Sequence, residues 1–186
     1  MGFHTIIKTI FEAALMGAFV LSLGYFIVTA FALALSRLRN DPEIIEDTTL
    51  YPTVTVQIPT YNELAALNCA KCCLDFDYPA EKIQILIGDD SNKPEISTKI
   101  DAFAAANPRI EISRRGDNTG FKPGNLNVML PKSMGDYLLI LDSDFLPKED
   151  FLKRLVVPVI KDPSLAGVQA AWKIINVHDN HSTLMG

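Results

Sequence analysis

Two aspartates on either side of a serine end one of the most apolar stretches of this chain. The stretch reads DYLLILDSDFLP from residue 136 to residue 147, and Asp142 and Asp144 directly follow its apolar part. Two carboxylates two residues apart at a strand end can share a hard divalent cation such as Mg²⁺ or Mn²⁺. An ordinary acidic turn before a helix is the alternative. The first interpretation predicts a metal ion on Asp142 and Asp144 that bridges a diphosphate.

Polar residues follow two other apolar stretches in the same manner. Thr60, Tyr61 and Glu63 come after TVTVQIP, and Asp89 and Asp90 end KIQILIGDD. The carboxylates suit hydrogen bonds from a base or a ribose, and an aromatic ring suits contact with a base. The same residue types are also typical of helix caps and turns. Each group taken alone leaves both interpretations open.

Lys122 lies in a loop that also contains three glycines. The loop reads RRGDNTGFKPGNLN from residue 114 to residue 127. Glycines serve as turn residues in many folds. A cation held in a glycine-rich loop is more specific, because it suits a diphosphate. Lys122 is therefore a candidate diphosphate contact.

The segments around these groups alternate between strand and helix patterns. Strands are predicted at 53–59, 82–90, 109–115, 136–144 and 165–171, and helices at 63–76, 95–106, 124–132 and 148–160. This alternation predicts an α/β domain with a mainly parallel sheet. In such sheets, ligands bind beyond the carboxyl ends of the strands. The polar groups are therefore expected to meet at one edge of the sheet.

The first part of the chain has a different character. Residues 13–35 read AALMGAFVLSLGYFIVTAFALAL and carry no charge, and about 20 apolar residues span a bilayer core. A buried core helix would show a polar face, and a cleaved signal peptide would have a shorter apolar region. We predict a flank at 1–12, a transmembrane helix at 13–35 and a linker at 36–52. Arg37 and Arg39 would place the domain that follows in the cytoplasm.

Length and charge restrict the classes of function. The chain has 186 residues, 48% of them hydrophobic, and a formal net charge of −5. That length suits one domain plus a membrane segment. Because the phosphate backbone of a nucleic acid calls for a basic surface, the acidic balance argues against a nucleic-acid partner.

Five motifs in order resemble the start of the family 2 glycosyltransferase domain of membrane-bound polysaccharide synthases. They are VTVQIPTYNE, ILIGDDSN, GFKPGNLN, LLILDSDFLP and GVQAAWKIIN. The strongest resemblance is to cellulose synthases and to plant mannan and glucomannan synthases, and it covers residues 53–186. It implies a GT-A fold, which is a Rossmann-like nucleotide-sugar binding domain. It also implies transfer of a sugar from a UDP- or GDP-sugar to a growing β-linked glycan, with inversion at the anomeric carbon.

The resemblance assigns the base and nucleoside contacts to residues after the first two strands. Thr60, Tyr61 and Glu63 would surround the base. Asp90, together with Asp89, would contact the nucleoside.

The resemblance assigns the diphosphate contacts to the later motifs. Lys122 would meet the diphosphate, and Asp142 and Asp144 would supply nucleotide and metal contacts with Mg²⁺ or Mn²⁺. The usual lysine motif has alanine where this chain has Pro123. Because proline restricts the residue before it, the geometry of the Lys122 contact stays open.

Two motifs of the family are absent from this sequence. One is the Thr/Glu-Glu-Asp motif, whose aspartate is the general base, and the other is the acceptor-binding Gln-x-x-Arg-Trp motif. We therefore expect a fragment, incomplete at its C-terminus, that holds the donor-binding half and does not polymerise sugar by itself. Two alternatives are a lipid-phosphate single-sugar transferase of the dolichyl-phosphate type and an inactive nucleotide-sugar-binding scaffold.

Overall fold

The computed structural model describes residues 2–36 and 43–170, and the chain divides into two units, Met1–Asp41 and Pro42–Gly186. In the first unit the described residues form the helix α1, Phe3–Ser36. Its 34 residues correspond to a length of about 51 Å, which exceeds the roughly 30 Å of a bilayer core. Its most apolar 18-residue window has a mean hydropathy of 2.2, and none of that window is buried. The helix is therefore long and apolar enough to cross a membrane.

The helix α1 begins at Phe3, whereas the sequence predicts a start at residue 13. The earlier residues include Lys8 and Glu12, whose charged groups lie 3.8 Å apart one helical turn from each other. Such pairs favour a helix although they interrupt an apolar run. Arg37 and Arg39, on which the predicted orientation depends, lie outside the described residues.

The second unit alternates strands and helices, as the sequence predicts. In chain order its elements are β1 Val54–Thr60, α2 Ala65–Leu74, β2 Ile83–Asp89, α3 Pro94–Ala106, β3 Ile110–Ser113, α4 Phe121–Met129, β4 Tyr137–Ile140 and α5 Phe151–Lys161. The four strands are parallel and lie in the order β3-β2-β1-β4. Thr60 pairs with Asp89 at the end of β1 and β2. This register brings the polar residues after both strands to the same edge of the sheet.

The two faces of the central strand β1 differ in character. Val54, Val56 and Ile58 are buried in one apolar cluster with residues of α2 and α5, and each such side chain stabilises the fold by about 1.5–3 kcal/mol. On the other face Thr55 and Gln57 are buried but hydrogen-bonded. Thr55 Oγ1 donates to Gln84 Oε1 at 2.8 Å, and Gln57 Nε2 donates to Ser133 Oγ at 2.9 Å.

Part of the predicted linker is fixed to the second unit. Tyr51 is buried and stacks on Tyr78 with ring centroids 4.8 Å apart. The ammonium of Lys82 donates to the carbonyls of Thr48, Thr49 and Tyr51 at 2.7–3.1 Å. Residues 48–52 therefore pack against the α/β domain.

The strand predicted at 165–171 is wrong over residues 165–170, and Ala171 lies outside the described residues. Asp162 accepts hydrogen bonds from the backbone and the hydroxyl of Ser164, and its own carbonyl accepts from Leu165. This turn is followed by residues that line a cavity beside β4 without a backbone hydrogen bond to it. The segment LAGVQA holds one β-branched residue among alanines and a glycine, which have weak strand preference.

Candidate functional site

Side-chain contacts connect the loops after all four strands into a closed ring at the carboxyl edge of the sheet. Asn62 begins the ring, between the loops after β1 and β2. Its Nδ2 donates to Asn92 Oδ1 at 2.7 Å, and its Oδ1 accepts from the backbone N–H groups of Asn92 and Lys93. Asn62 has a φ of 56°, and asparagine tolerates this left-handed conformation better than most residues. These contacts fix the direction of the neighbouring Tyr61 and Glu63 backbone.

Asp89 connects β2 to β3 and α3 from a fully buried position. It accepts from Ser91 N at 3.0 Å and Ser97 Oγ at 2.7 Å, and from Arg114 at 2.7 and 3.0 Å. Burial raises the pKa of this carboxyl, but the hydrogen bonds from Ser91, Ser97 and Arg114 outweigh burial and lower the pKa below its ordinary value. Asp89 is therefore an ionised structural anchor for these elements.

The next residue, Asp90, makes the second connection between β2 and β3. Arg115 donates Nε to Asp90 Oδ1 at 2.9 Å and Nη2 to Asp90 Oδ2 at 2.6 Å. This two-point geometry is the strong form of an arginine–carboxylate contact. The hydrogen bond to Asp90 raises the pKa of Arg115 above its ordinary value.

Two further contacts close the ring. The ammonium of Lys122, at the start of α4, donates a hydrogen bond to Oδ1 of Asp142, which follows β4, and forms an ion pair with it. The hydroxyl of Ser143 donates to Glu63 Oε1 and so connects β4 back to the loop after β1. Both Lys122 and Asp142 keep nearly half of their side-chain surface exposed, 47% and 40%, which leaves them accessible to a ligand.

The ring surrounds a polar pocket of about 200 Å³. Its lining residues are Pro59, Thr60, Tyr61, Glu63, Asp90, Asn118, Lys122, Asn125, Asp142 and Ser143. Six of the predicted site residues are among them: Thr60, Tyr61, Glu63, Asp90, Lys122 and Asp142. Two are not, because Asp89 is buried behind the pocket and Asp144 is exposed outside it. Because ligand pockets usually measure about 300–1,000 Å³, this one has the size for part of a nucleotide.

A larger cavity of about 630 Å³ lies beside β4 and α5. Aliphatic and aromatic side chains of those two elements form most of its wall, together with residues 166–170. It reaches Asp142 at one end but holds few groups that can take part in chemistry. The smaller polar pocket is therefore the candidate functional site.

Sequence reasoning did not single out several residues that build this site. Asn125, which lines the pocket, donates Nδ2 to the carbonyl of Gly88 at 2.8 Å, and Ser143 is the residue between the two aspartates. Arg114 and Arg115 are adjacent in the sequence and directly follow β3. Two adjacent arginines after one strand can match two adjacent aspartates after its parallel neighbour, and Gly88 pairs with Ser113 in the register of these strands.

Asp142 lines the pocket and Asp144 lies outside it, and their carboxylate oxygens are ligands of the kind that Mg²⁺ and Mn²⁺ bind. Asp144 is exposed and has no hydrogen bond or ion pair with any described residue. Within residues 2–36 and 43–170 no group of three or more His, Cys, Asp or Glu side chains surrounds a metal position. Asp142 and Asp144 would therefore need further oxygen ligands from a diphosphate and from water.

The local charge supports the same conclusion. Among the residues that line the pocket, Glu63, Asp90 and Asp142 carry carboxylates and Lys122 carries a positive charge. Carboxylates thus outnumber cations. A diphosphate, itself an anion, would be repelled there unless a divalent cation accompanied it.

A parallel α/β sheet with a polar pocket at its carboxyl edge is typical of nucleotide-binding α/β proteins. The profile of the family described as glycosyl transferase family 2 matches residues 55–185. This chain therefore belongs to glycosyl transferase family 2, which confirms the resemblance seen in the sequence.

Relatives of this chain include plant proteins named as glucomannan 4-beta-mannosyltransferases. The chain is 36% identical over 135 residues to glucomannan 4-beta-mannosyltransferase 9 of Arabidopsis thaliana, covering 68% of this chain and 25% of that protein. It is 30% identical over 156 residues to probable glucomannan 4-beta-mannosyltransferase 9 of Oryza sativa subsp. japonica, covering 79% and 29%. The chain thus spans between 25% and 29% of the length of these relatives.

Solved structures support the fold. The mannosyltransferase PcManGT from Pyrobaculum calidifontis, in complex with GDP-Man and Mn²⁺, superimposes with a TM-score of 0.61 at 26% identity, covering 76% of this chain and 43% of that one. S. aureus TarS 1-349 in complex with UDP-GlcNAc gives a TM-score of 0.52 at 22% identity, covering 59% and 31%. These likenesses confirm the predicted α/β GT-A fold.

Proposed function

We propose that this chain forms the donor-binding half of a membrane-bound inverting glycosyltransferase that extends a β-linked polysaccharide. The observation that carries the proposal is the pocket itself. Three separate strand-end loops and the start of α4 bring six predicted donor contacts into one space of about 200 Å³. That convergence supports a single polar ligand with a base at one end and a diphosphate at the other.

The residues divide between the two ends of such a donor. Thr60, Tyr61 and Glu63 surround the base, and Asp90 accepts hydrogen bonds from the nucleoside. Asp89 is hydrogen-bonded to Ser91, Ser97 and Arg114 and does not line the pocket, so we assign it no contact with the donor.

The diphosphate end involves Lys122, Asp142 and Asp144. Lys122 supplies a mobile cation for the diphosphate, and on binding it exchanges its contact with Asp142 for one with phosphate oxygens. Asp142 and Asp144 would hold Mg²⁺ or Mn²⁺, which, when bound, neutralises charge that develops on the departing nucleoside diphosphate.

We propose GDP-mannose as the donor, in preference to a UDP-sugar. The relatives named glucomannan 4-beta-mannosyltransferases support this choice, as does the PcManGT complex with GDP-Man and Mn²⁺ at 26% identity. Guanine also presents adjacent N–H donors, which suit the carboxylates of Glu63 and Asp90. The sugar acceptor would be the growing glycan, and the proton from its hydroxyl would pass to a general base that the family places after this part of the sequence.

The helix α1 supports a membrane location. It is long and apolar enough to cross a bilayer, and we propose that it anchors the chain with the α/β domain in the cytoplasm. Arg37 and Arg39 in the sequence support this orientation, because positive charge next to a membrane span favours the cytoplasmic side.

Calorimetric titration of the full chain in detergent micelles tests the proposal. GDP is titrated with and without Mn²⁺, and UDP is titrated under the same conditions. We expect binding of GDP that strengthens with Mn²⁺ and exceeds that of UDP. Absence of binding by both nucleotides in the presence of Mn²⁺ would contradict a donor-binding role, and preference for UDP would contradict the choice of GDP-mannose.

A further inference from the structure

We propose that Arg115 is a positioning residue that holds Asp90 and the turn before Lys122 in one arrangement, so that both ends of the donor meet prepared contacts. The inference deepens the proposed function and rests on it for the identity of the ligand.

Arg115 uses all three of its guanidinium nitrogens on described residues. Its Nε and Nη2 bind the two oxygens of Asp90. Its Nη1 donates to the carbonyl of Thr119 at 2.6 Å, and Nη2 also reaches the carbonyl of Phe121 at 3.3 Å. Only 14% of its side chain is exposed. A cation so engaged is poorly placed to bind a diphosphate itself, whereas Lys122, with 47% of its side chain exposed, remains accessible.

The turn that Arg115 holds has an unfavourable backbone conformation. Phe121 has a φ of 51°, in the left-handed region of the backbone. Residues other than glycine and asparagine rarely adopt this conformation. Its ring is 72% exposed, so burial of the ring does not stabilise this conformation. Such a conformation persists only where surrounding contacts enforce it. The contacts here are from Phe121 N–H to the carbonyl of Asn118 and from Arg115 to the carbonyl of Phe121.

Gly124 shows how closely Arg115 packs against the start of α4. A Cβ at this position would lie 2.6 Å from Arg115 Nη1 and 2.2 Å from the carbonyl oxygen of Thr119. The missing side chain therefore makes room for the hydrogen bond between Arg115 and Thr119. Lys122 lies two residues earlier on the same turn, so its backbone position depends on this packing.

The neighbouring Arg114 provides a matched control. It also binds a carboxylate after β2, that of Asp89, and it contacts Asp101 on α3. Its hydrogen bonds reach neither the turn at 117–121 nor any residue that lines the pocket. Substitution of Arg114 therefore removes an arginine–aspartate contact between the same strands but removes no hydrogen bond to Asp90 or to the turn at 117–121.

The test compares Arg115→Lys with Arg114→Lys in the full chain in detergent micelles. Lysine keeps the positive charge but cannot bind two carboxylate oxygens and two carbonyls at once. Without nucleotide, we expect amide hydrogen exchange in residues 116–125 to be about tenfold faster in Arg115→Lys and unchanged in Arg114→Lys. With Mn²⁺, we expect the dissociation constant for GDP to rise about 10- to 100-fold in Arg115→Lys and by less than about threefold in Arg114→Lys.

A third variant tests chemical rescue, which a general loss of stability would not produce. In Arg115→Ala, free guanidinium at millimolar concentration should restore part of the GDP affinity, and methylammonium should not. Unchanged hydrogen exchange at 116–125 in both Arg115 variants would overturn the inference, as would equal effects of the two lysine substitutions. Failure of the wild-type chain to bind GDP would instead contradict the proposed function, while the exchange measurement without nucleotide would still decide the role of Arg115.

Discussion

Gly88→Ala should destabilise the domain because the space beside this glycine is already filled. A Cβ there would lie 2.0 Å from Asn125 Oδ1 and 2.8 Å from both Asn125 Cγ and Met129 Cε. Gly88 is not in the left-handed region, so alanine meets no backbone penalty and the effect comes from packing alone. Overpacking costs about 1–3 kcal/mol, and the displaced hydrogen bond from Asn125 to the Gly88 carbonyl costs about 1 kcal/mol more. We expect a loss of about 2–4 kcal/mol.

Urea unfolding of the full chain in detergent micelles, followed by circular dichroism, measures this loss. Gly167→Ala is the control, because nothing lies within 4 Å of a Cβ there. In an Asn125→Ala background the same Gly88→Ala substitution should cost about 1–2 kcal/mol less, because the main clash has been removed. Equal costs in the two backgrounds, or a cost no larger than that of Gly167→Ala, would refute the packing argument.

Two more predictions concern the carboxylates. Asp144→Asn should abolish most of the increase in GDP affinity that Mn²⁺ causes. It should leave GDP binding without metal nearly unchanged, because this side chain is exposed and lies outside the pocket. Calorimetry measures both affinities, and an unaltered effect of Mn²⁺ would exclude Asp144 as a metal ligand. Because the pKa of Asp89 is lower in the folded protein than its unfolded value of about 3.9, its ionisation stabilises the fold above that value. This stability should be lost as the pH falls through the folded pKa, so urea midpoints should fall more steeply below about pH 4 in the wild type than in Asp89→Asn. Parallel curves for the two proteins would contradict the role of Asp89.

The parallel sheet and its functional edge were predictable because they depend on properties that the sequence displays directly. Alternating strand and helix patterns require crossover connections, and these place the carboxyl ends of all strands together. The polar residues after β1, β2 and β4 therefore had to meet, whatever the details of each loop. This is why six predicted residues line one pocket.

The different fates of Asp89 and Asp90 were not predictable from their identical side chains. Successive residues of a strand point to opposite faces of the sheet, so one carboxylate is directed toward Ser97 on α3 and the next toward the pocket. The positions at which α3 and α4 pack decide which of the two carboxylates points to the pocket. The pairing of Arg115 with Asp90 depends on the same tertiary arrangement.

The strand predicted at 165–171 is an element that the sequence predicts and that the structure does not form over residues 165–170. A short segment of small apolar residues has no strong preference of its own, and pairing to β4 would have to decide its conformation. The turn fixed by Asp162 directs residues 166–170 along a cavity wall instead. Local hydrogen bonds outweighed a weak strand pattern in this case.

Hydrogen exchange of the full chain in micelles, with and without GDP-mannose and Mn²⁺, tests the central claim most directly. We predict that the ligand slows exchange in residues 60–63, 89–92, 116–125 and 141–145, which form the ring around the polar pocket, and leaves residues 151–170 beside the larger cavity unchanged. Protection confined to residues 151–170, or no protection in the ring at saturating ligand, would contradict the account.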